Sequence, residues 1–284
     1  MLSLMTKKDP VYIPELSCKG LVPVHSVTAF DSHGVSRTVD IAGEQPLTIF
    51  MDDREIVTLM TLGTHPEELA LGYLRNQRLI TDIENIESVC VDWNTESARI
   101  KTRDPGHSQD IEGRLTRRTI TSGCGQGTLL GCTMEELYEA RPEPITVYQS
   151  TLARLSRELP KHNAVYKAAG SVHGCALCHE DKVEVFIEDV GRHNALDTIA
   201  GQMWLKRVQG KGKMLYSTGR LTSEIVIKAA LMDIPVVISR SGITHMGLEL
   251  ARDLGITMIA RIKRRNFLVF NGHDRFIHDM EQEE

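Results

Sequence analysis

From about Pro144 onward the chain alternates compact apolar runs with longer helical patterns, and this alternation limits the fold more than any other feature. VEVFIEDV, MLYSTG, PVVISR and TMIARIK read as strands, whereas HNALDTIAGQMWLKRV, TSEIVIKAALMD and THMGLELARDLG read as helices. In the first of these helices Ala195, Leu196, Ile199, Ala200, Met203 and Trp204 recur along one face. Successive βαβ units predict a parallel or mostly parallel sheet covered by helices. VYQSTLARLSREL adds a helix at the front and FLVFN a closing strand, and AVYKAAGSVHGCAL reads as a strand entering a helix.

The first half has a different texture. VPVHSVTAF, VSRTVDI, PLTIFMD and REIVTLM are short β-rich runs broken by SHG, GEQP and DD, and they predict an antiparallel meander. THPEELALGYLRNQRLI predicts a helix, with Thr64 as N-cap, Pro66 and two acids in the first turn, and a broad apolar face. SVCVDWN and ESARIKT return to strand alternation. The polar stretch DPGHSQDIEGRL then leads, as a loop or hairpin, towards Cys124. Two domains are expected, a β-rich unit over residues 1–143 carrying the Cys124 loop and an α/β unit over residues 144–284.

Bulk properties remove several function classes. With 33 Lys+Arg against 38 Asp+Glu the net charge is -5, so no global field favours nucleic acid or an acidic membrane. Any anion site must be local. The opening MLSLMTKKDP lacks a signal h-region, and no later run approaches the ~18 apolar residues of a membrane span. A soluble, cytoplasmic protein is expected. Six cysteines in such a chain do not suggest a disulfide framework, which leaves metal binding, thiol chemistry or burial.

In an open α/β sheet, ligands bind beyond the carboxyl ends of the strands, where loops enter helix N-termini. The loops there are EDVGRHN, STGRLTSE, SRSGITH and KRRN. They offer Gly191, Arg192 and His193; Gly219, Arg220, Thr222 and Ser223; Arg240, Ser241, Gly242 and Thr244; and Lys263, Arg264 and Arg265. Glycine, hydroxyl and guanidinium groups suit a phosphate or another polyanion, although tight turns, caps and solvated arginines use the same residues. RIKRR, with four positive charges in five residues, is the best single phosphate candidate. Glu188, Asp189 and Glu224 fit either acid/base work or strand-end and helix-start positions.

Two cysteine contexts differ. GSVHGCALCHED holds a C-x-x-C flanked by His173 and His179, but a nucleobase deaminase needs H-x-E followed by P-C-x-x-C, and no proline precedes Cys175. Burial of Cys175 and Cys178 as small hydrophobes is favoured over zinc. TITSGCGQGT instead places Cys124 among glycines and hydroxyls, with Arg117 and Arg118 upstream. An exposed thiol with pKa near ~8.5 is partly thiolate at neutral pH, and nearby positive charge increases that fraction. A glycine-rich turn with an incidental cysteine is the competing reading.

Together these segments resemble the formate dehydrogenase accessory sulfurtransferase family (FdhD). The matching stretches are EQPLTIFMDDREIVTLMTLGTHPEELALGYL, SGCG, GSVHGCAL, EDVGRHNALD, TGRLTSEIVIKAA and RIKRRNFLVFNGHDR, in family order from about residue 25 onward. The resemblance implies a second domain of cytidine-deaminase-like three-layer α/β/α fold without the deaminase zinc, hence no permanent metal. It implies a cytoplasmic homodimer that takes persulfide sulfur from a cysteine desulfurase. The sulfur passes to the bis(molybdopterin guanine dinucleotide) form of the molybdenum cofactor, bound as substrate, and formate dehydrogenase needs it for activity. Cys124 matches the sulfur-carrying position and Arg261, Ile262, Lys263, Arg264, Arg265 and Asn266 the cofactor contact, with Gly219, Arg220, Ser241, Arg192 and His193 expected to assist. Many members carry C-G-x-C, whereas here Gly127 replaces the second thiol. That argues for a single-thiol carrier unless Cys132 folds back. Two rivals are a zinc-dependent deaminase-like hydrolase using His173, Cys175 and Cys178, and a molybdenum-cofactor chaperone without sulfur chemistry.

Overall fold

The structure is a computed structural model that describes residues 12–104, 118–121, 127–130 and 134–281. In the first half, β1 (Glu15–Leu16), β2 (Val24–Phe30), β3 (Ser36–Ala42), β4 (Gln45–Met51) and β5 (Arg54–Thr61) precede α1 (Pro66–Asn76), followed by β6 (Ile86–Asp92) and β7 (Ser97–Thr102). A five-stranded sheet has the order β1-β6-β7-β4-β5, while β2 and β3 form a separate two-stranded ribbon. The expected single meander is therefore two hairpins in two sheets, with β4 pairing in parallel to β7. The burial pattern explains the split. Leu47, Ile49 and Met51 of β4 alternate into the core, whereas nearly every residue of β3 is exposed, so nothing draws the ribbon onto the sheet. Asp52 and Asp53 make the tight β4–β5 turn with φ of 47° and 65°, the left-handed pair that a two-residue hairpin turn requires.

Helix α1 begins one residue later than its expected cap, because His65 rather than Thr64 occupies the N-cap position. It stops at Asn76, and Arg78 with φ 54° turns the chain away. The helix is buried on two sides, against the five-stranded sheet and against a helix of the second half. At the second contact the backbones nearly touch. A Cβ on Gly72 would lie 1.7 Å from the Asp197 carbonyl oxygen, and one on Gly201 1.9 Å from that of Glu68.

Strands β8 (Arg118–Thr121) and β9 (Gly127–Leu130) pair antiparallel, followed by α2 (Met134–Glu139), whose Leu137 is buried in the core of the second half. The remaining elements are β10 (Val147–Tyr148), α3 (Gln149–Glu158), α4 (Ala164–Ala169), β11 (His173–His179), β12 (Lys182–Asp189), α5 (Arg192–Leu205), β13 (Lys213–Ser217), α6 (Ser223–Leu231), β14 (Val236–Ser239), α7 (His245–Asp253), β15 (Thr257–Lys263), β16 (Asn266–Asn271) and β17 (Phe276–Ile277). The six-stranded sheet runs β12-β11-β13-β14-β15-β16. Leu196, Ile199, Ile225 and Leu250 from α5, α6 and α7 cover one face, while Leu152 and Leu155 of α3 cover the other, giving three layers.

Two local expectations are corrected. AVYKAAG is helix α4, and GSVHGCAL leads into strand β11 rather than a helix. The deciding contact is remote in sequence. The Glu188 carboxylate accepts hydrogen bonds from the amides of Val165 and Tyr166 at 2.8 and 2.9 Å, satisfying the first turn of α4 against the β preference of Val and Tyr. The sheet is also less parallel than expected. Only β13–β14 and β14–β15 are parallel pairs, because short hairpins after β11 and β15 return the chain antiparallel.

Candidate functional site

Strand directions decide which loops meet. Strand β12 is antiparallel to β11, and β11 is antiparallel to β13, so β12 runs the same way as β13, β14 and β15. All four polar loops therefore leave the same edge of the sheet, as the sequence predicts.

Within that edge three loops are stitched together by short side chains. The Gly219 amide donates to Ser217 Oγ at 3.1 Å, and its carbonyl accepts from Ser239 Oγ at 2.6 Å. Ser239 Oγ also accepts from the Ser241 amide at 2.8 Å, and the Ser241 carbonyl accepts from the Arg261 amide at 2.9 Å. A Cβ on Gly219 would come within 2.5 Å of Arg192 Cδ, so the missing side chain is what lets Arg192 lie across the loop. Arg192 is buried, while Arg220, Arg240, Arg261, Lys263, Arg264, Arg265 and Asn266 are exposed along the rim. Ile262 is 5% exposed and packs into the core, so any contact it makes with a ligand is through its backbone. Arg261 and Arg264 take φ of 57° and 56°, which turns the β15–β16 hairpin beyond the sheet edge.

Behind the rim is a buried charged chain. His193 Nδ1 lies 3.2 Å from Glu224 Oε1, the same oxygen is 3.2 Å from Lys228 Nζ, and Lys228 donates to Asp197 Oδ2 at 2.8 Å. Asp197 Oδ1 accepts from Asn76 Nδ2 at 2.7 Å, so the chain reaches α1 in the first half. Burial, aided by Lys228, pushes the His193 imidazole down to about 3 and keeps it neutral. Lys228 is held well above the ordinary lysine range, its two carboxylates overcoming the cost of burial. His193 and Glu224 stand out in the sequence, whereas Asp197 and Lys228 do not, because each is only a charge within an otherwise apolar helical stretch.

Of the other acids, Glu188 caps α4. Asp189 accepts from Thr61 Oγ1, from the amides of Leu62 and Gly191, and from Asn194 Nδ2, tying the end of β5 to the second half. Both are structural supports. His173 is also at this edge, since β11 runs against its neighbours; its Nδ1 is 3.4 Å from Thr218 Oγ1, and burial lowers its pKa. Arg240 lies over the Tyr166 ring at 5.7 Å, a pair that sequence reading did not single out.

Cys175 and Cys178 are fully buried, as favoured, and burial pushes each thiol up to about 12. Cys175 faces the α5–α6–α7 layer and Cys178 the α3 layer. Thiols on opposite faces of one sheet cannot bind the same ion, which argues against the zinc reading. Cys124 and Cys132 lie outside the described residues, as does most of the polar stretch leading to them. Cys124 falls between β8 and β9, whose ends Thr121 and Gly127 are paired.

Residues 42–277 match the sequence model of the FdhD/NarQ family. The chain is 31% identical to the sulfur carrier protein FdhD of Bacillus pumilus (strain SAFR-032) over 242 residues, covering 84% of this chain and 91% of that protein. It is 28% identical to the sulfur carrier protein FdhD of Bacillus subtilis (strain 168), covering 89% of this chain and 96% of that one. The crystal structure of a protein from Desulfotalea psychrophila assigned as a formate dehydrogenase accessory protein superposes with a TM-score of 0.70 at 26% identity, covering 89% of this chain and 98% of that one. The chain belongs to the FdhD/NarQ family.

Proposed function

We propose that this protein is a sulfur carrier for formate dehydrogenase maturation. Cys124 carries the sulfur as a persulfide, and the strand-end edge holds the nucleotide ends of the molybdenum cofactor as substrate. The observation that carries the reading is the convergence of Arg192, Gly219, Arg220, Ser241 and the basic 261–266 hairpin on one sheet edge, in a chain whose relatives bear the name sulfur carrier. Guanidinium groups and strand-end amides suit diphosphates.

Sulfur acceptance needs no outside oxidant. The Cys124 thiolate attacks the terminal sulfur of a persulfide on a cysteine desulfurase, a new S–S bond forms, the donor S–S bond breaks, and the donor cysteine leaves with the electron pair as thiolate. One thiol suffices for acceptance and donation, consistent with Gly127 in place of a second cysteine. The carrier acts in the cytoplasm as a homodimer.

The test pairs two variants. Cys124→Ala is expected to abolish persulfide labelling and formate dehydrogenase activation while leaving folding intact, and Cys132→Ala to leave activation largely standing. Equal loss from both would refute the single-thiol version. Retained activation in Cys124→Ser would favour a cofactor chaperone without sulfur chemistry.

A further inference from the structure

Between helix α3 and the edge strand β12 runs an open trough of about 720 Å³, separate from the strand-end rim. In a chain of net charge -5 its walls are mainly basic: Arg154 and Arg157 from α3, Lys161 from the turn that follows, and Lys182 from the start of β12. Two cations already have acidic partners, Arg154 with Asp181 at 2.7 Å and Lys161 with Glu158 at 2.6 Å. Arg157 and Lys182 are exposed and form no ion pair among the described residues. His162 stacks on Phe186 at 5.5 Å and, with Val183, gives the trough an apolar side.

We propose that this trough is a docking surface for an acidic, extended polypeptide segment of a partner protein. Three features select a peptide over a compact phosphate. The trough borders the C-terminal turn of α3, whose macrodipole opposes a concentrated dianion. Its cations are spread along the trough and interleaved with carboxylates, which matches spaced acidic side chains rather than one focal charge. Strand β12 is the edge of the six-stranded sheet, and its first residues, Lys182 to Phe186, are at least partly exposed, leaving an unpaired side for an extended chain to bond. A bilayer surface is flat and does not fill a concave trough.

The probe is a labelled peptide of about a dozen residues alternating glutamate and valine, titrated into the full-length protein and followed by fluorescence anisotropy. Binding is expected to weaken at least ~tenfold in the combined variant Arg157→Glu, Lys161→Glu, Lys182→Glu and to fall steeply by about 0.5 M salt. The variant Arg157→Gln, Lys161→Gln, Lys182→Gln is expected to lie between it and the unaltered protein, with thermal unfolding unchanged in the neutral set. A lysine-valine peptide of the same length is expected not to bind. The proposal is overturned if the acidic peptide fails to bind, or binds both variants as well as the unaltered protein. It is also overturned if pyrophosphate, or vesicles containing phosphatidylserine, lose more binding in these variants than the peptide does. Because the readout is peptide binding, the result is independent of sulfur transfer.

Discussion

Lys228→Met tests the buried chain behind the rim. Lys228 is 1% exposed and lies between Asp197 and Glu224, each 2% exposed, at 2.8 and 3.2 Å. Removing the ammonium leaves two carboxylates buried without their shared counter-charge. Breaking a buried pair by deleting one partner costs ~3–5 kcal/mol. Each kcal/mol lowers the melting temperature of a chain of this size by a few degrees, so a fall of roughly 10 °C is expected. The assay is urea unfolding at pH 7, with thermal unfolding as a second readout. The deficit carries a pH signature. Burial already raises the Asp197 carboxyl above its ordinary range and loss of the Lys228 charge raises it further, so the penalty is full at neutral pH and shrinks as acid protonates that carboxyl. Replacing the set together, Asp197→Leu, Glu224→Met and Lys228→Met, is expected to recover much of the loss. A Lys228→Met deficit under about 1 kcal/mol, or one that grows as pH falls, would refute this account of the chain.

Further outcomes follow from the same geometry. His193, pushed to about 3 in the folded protein, must remain neutral while the unfolded chain protonates near ~6.5; stability is therefore lost as pH falls, by ~2 kcal/mol between pH 6.5 and 5, and His193→Asn is expected to flatten that slope in urea titrations. Gly72→Ala places a Cβ 1.7 Å from backbone oxygen on α5, with no side chain able to yield, so a loss of about 3 kcal/mol or more is expected, read as a lower melting temperature or insoluble protein. Gly219→Ala is expected to fold yet push Arg192 aside, weakening GDP binding by about tenfold in calorimetric titration. Combined Lys263→Ala, Arg264→Ala and Arg265→Ala is expected to weaken GDP binding and reduce its salt dependence; unchanged affinity would move the nucleotide site elsewhere.

What could be read from the sequence depended on how local the deciding interaction is. Helices α5, α6 and α7 and strands β12 to β16 carry their own periodicity, so they and their four polar loops were legible. The helical state of α4 was not, because a carboxylate from Glu188, some twenty residues onward, satisfies its first amides. Nor was the mixed pairing of the sheet, which hairpin turns set while the βαβ pattern looks the same. That β2 and β3 stay out of the five-stranded sheet follows from the exposure of most of their residues, and alternation of β-formers does not show that. Burial of Cys175 and Cys178 was legible from their apolar neighbours, but their pointing to opposite layers needed the strand. Lys228 and Asp197 escaped notice because each is ordinary alone and meaningful only when α5 and α6 are side by side. Cys124 stands on sequence context and family membership, and its segment lies outside the described residues.

Cys124 as the sulfur carrier is decided by intact-protein and peptide mass spectrometry after incubation with a cysteine desulfurase and cysteine. The expected result is the addition of one sulfur atom, reversible by thiol reductant and mapped to the peptide containing Cys124, with none on the Cys124→Ala protein. No added sulfur, or sulfur located on Cys18, Cys90 or Cys132 while Cys124 remains a free thiol, would contradict it.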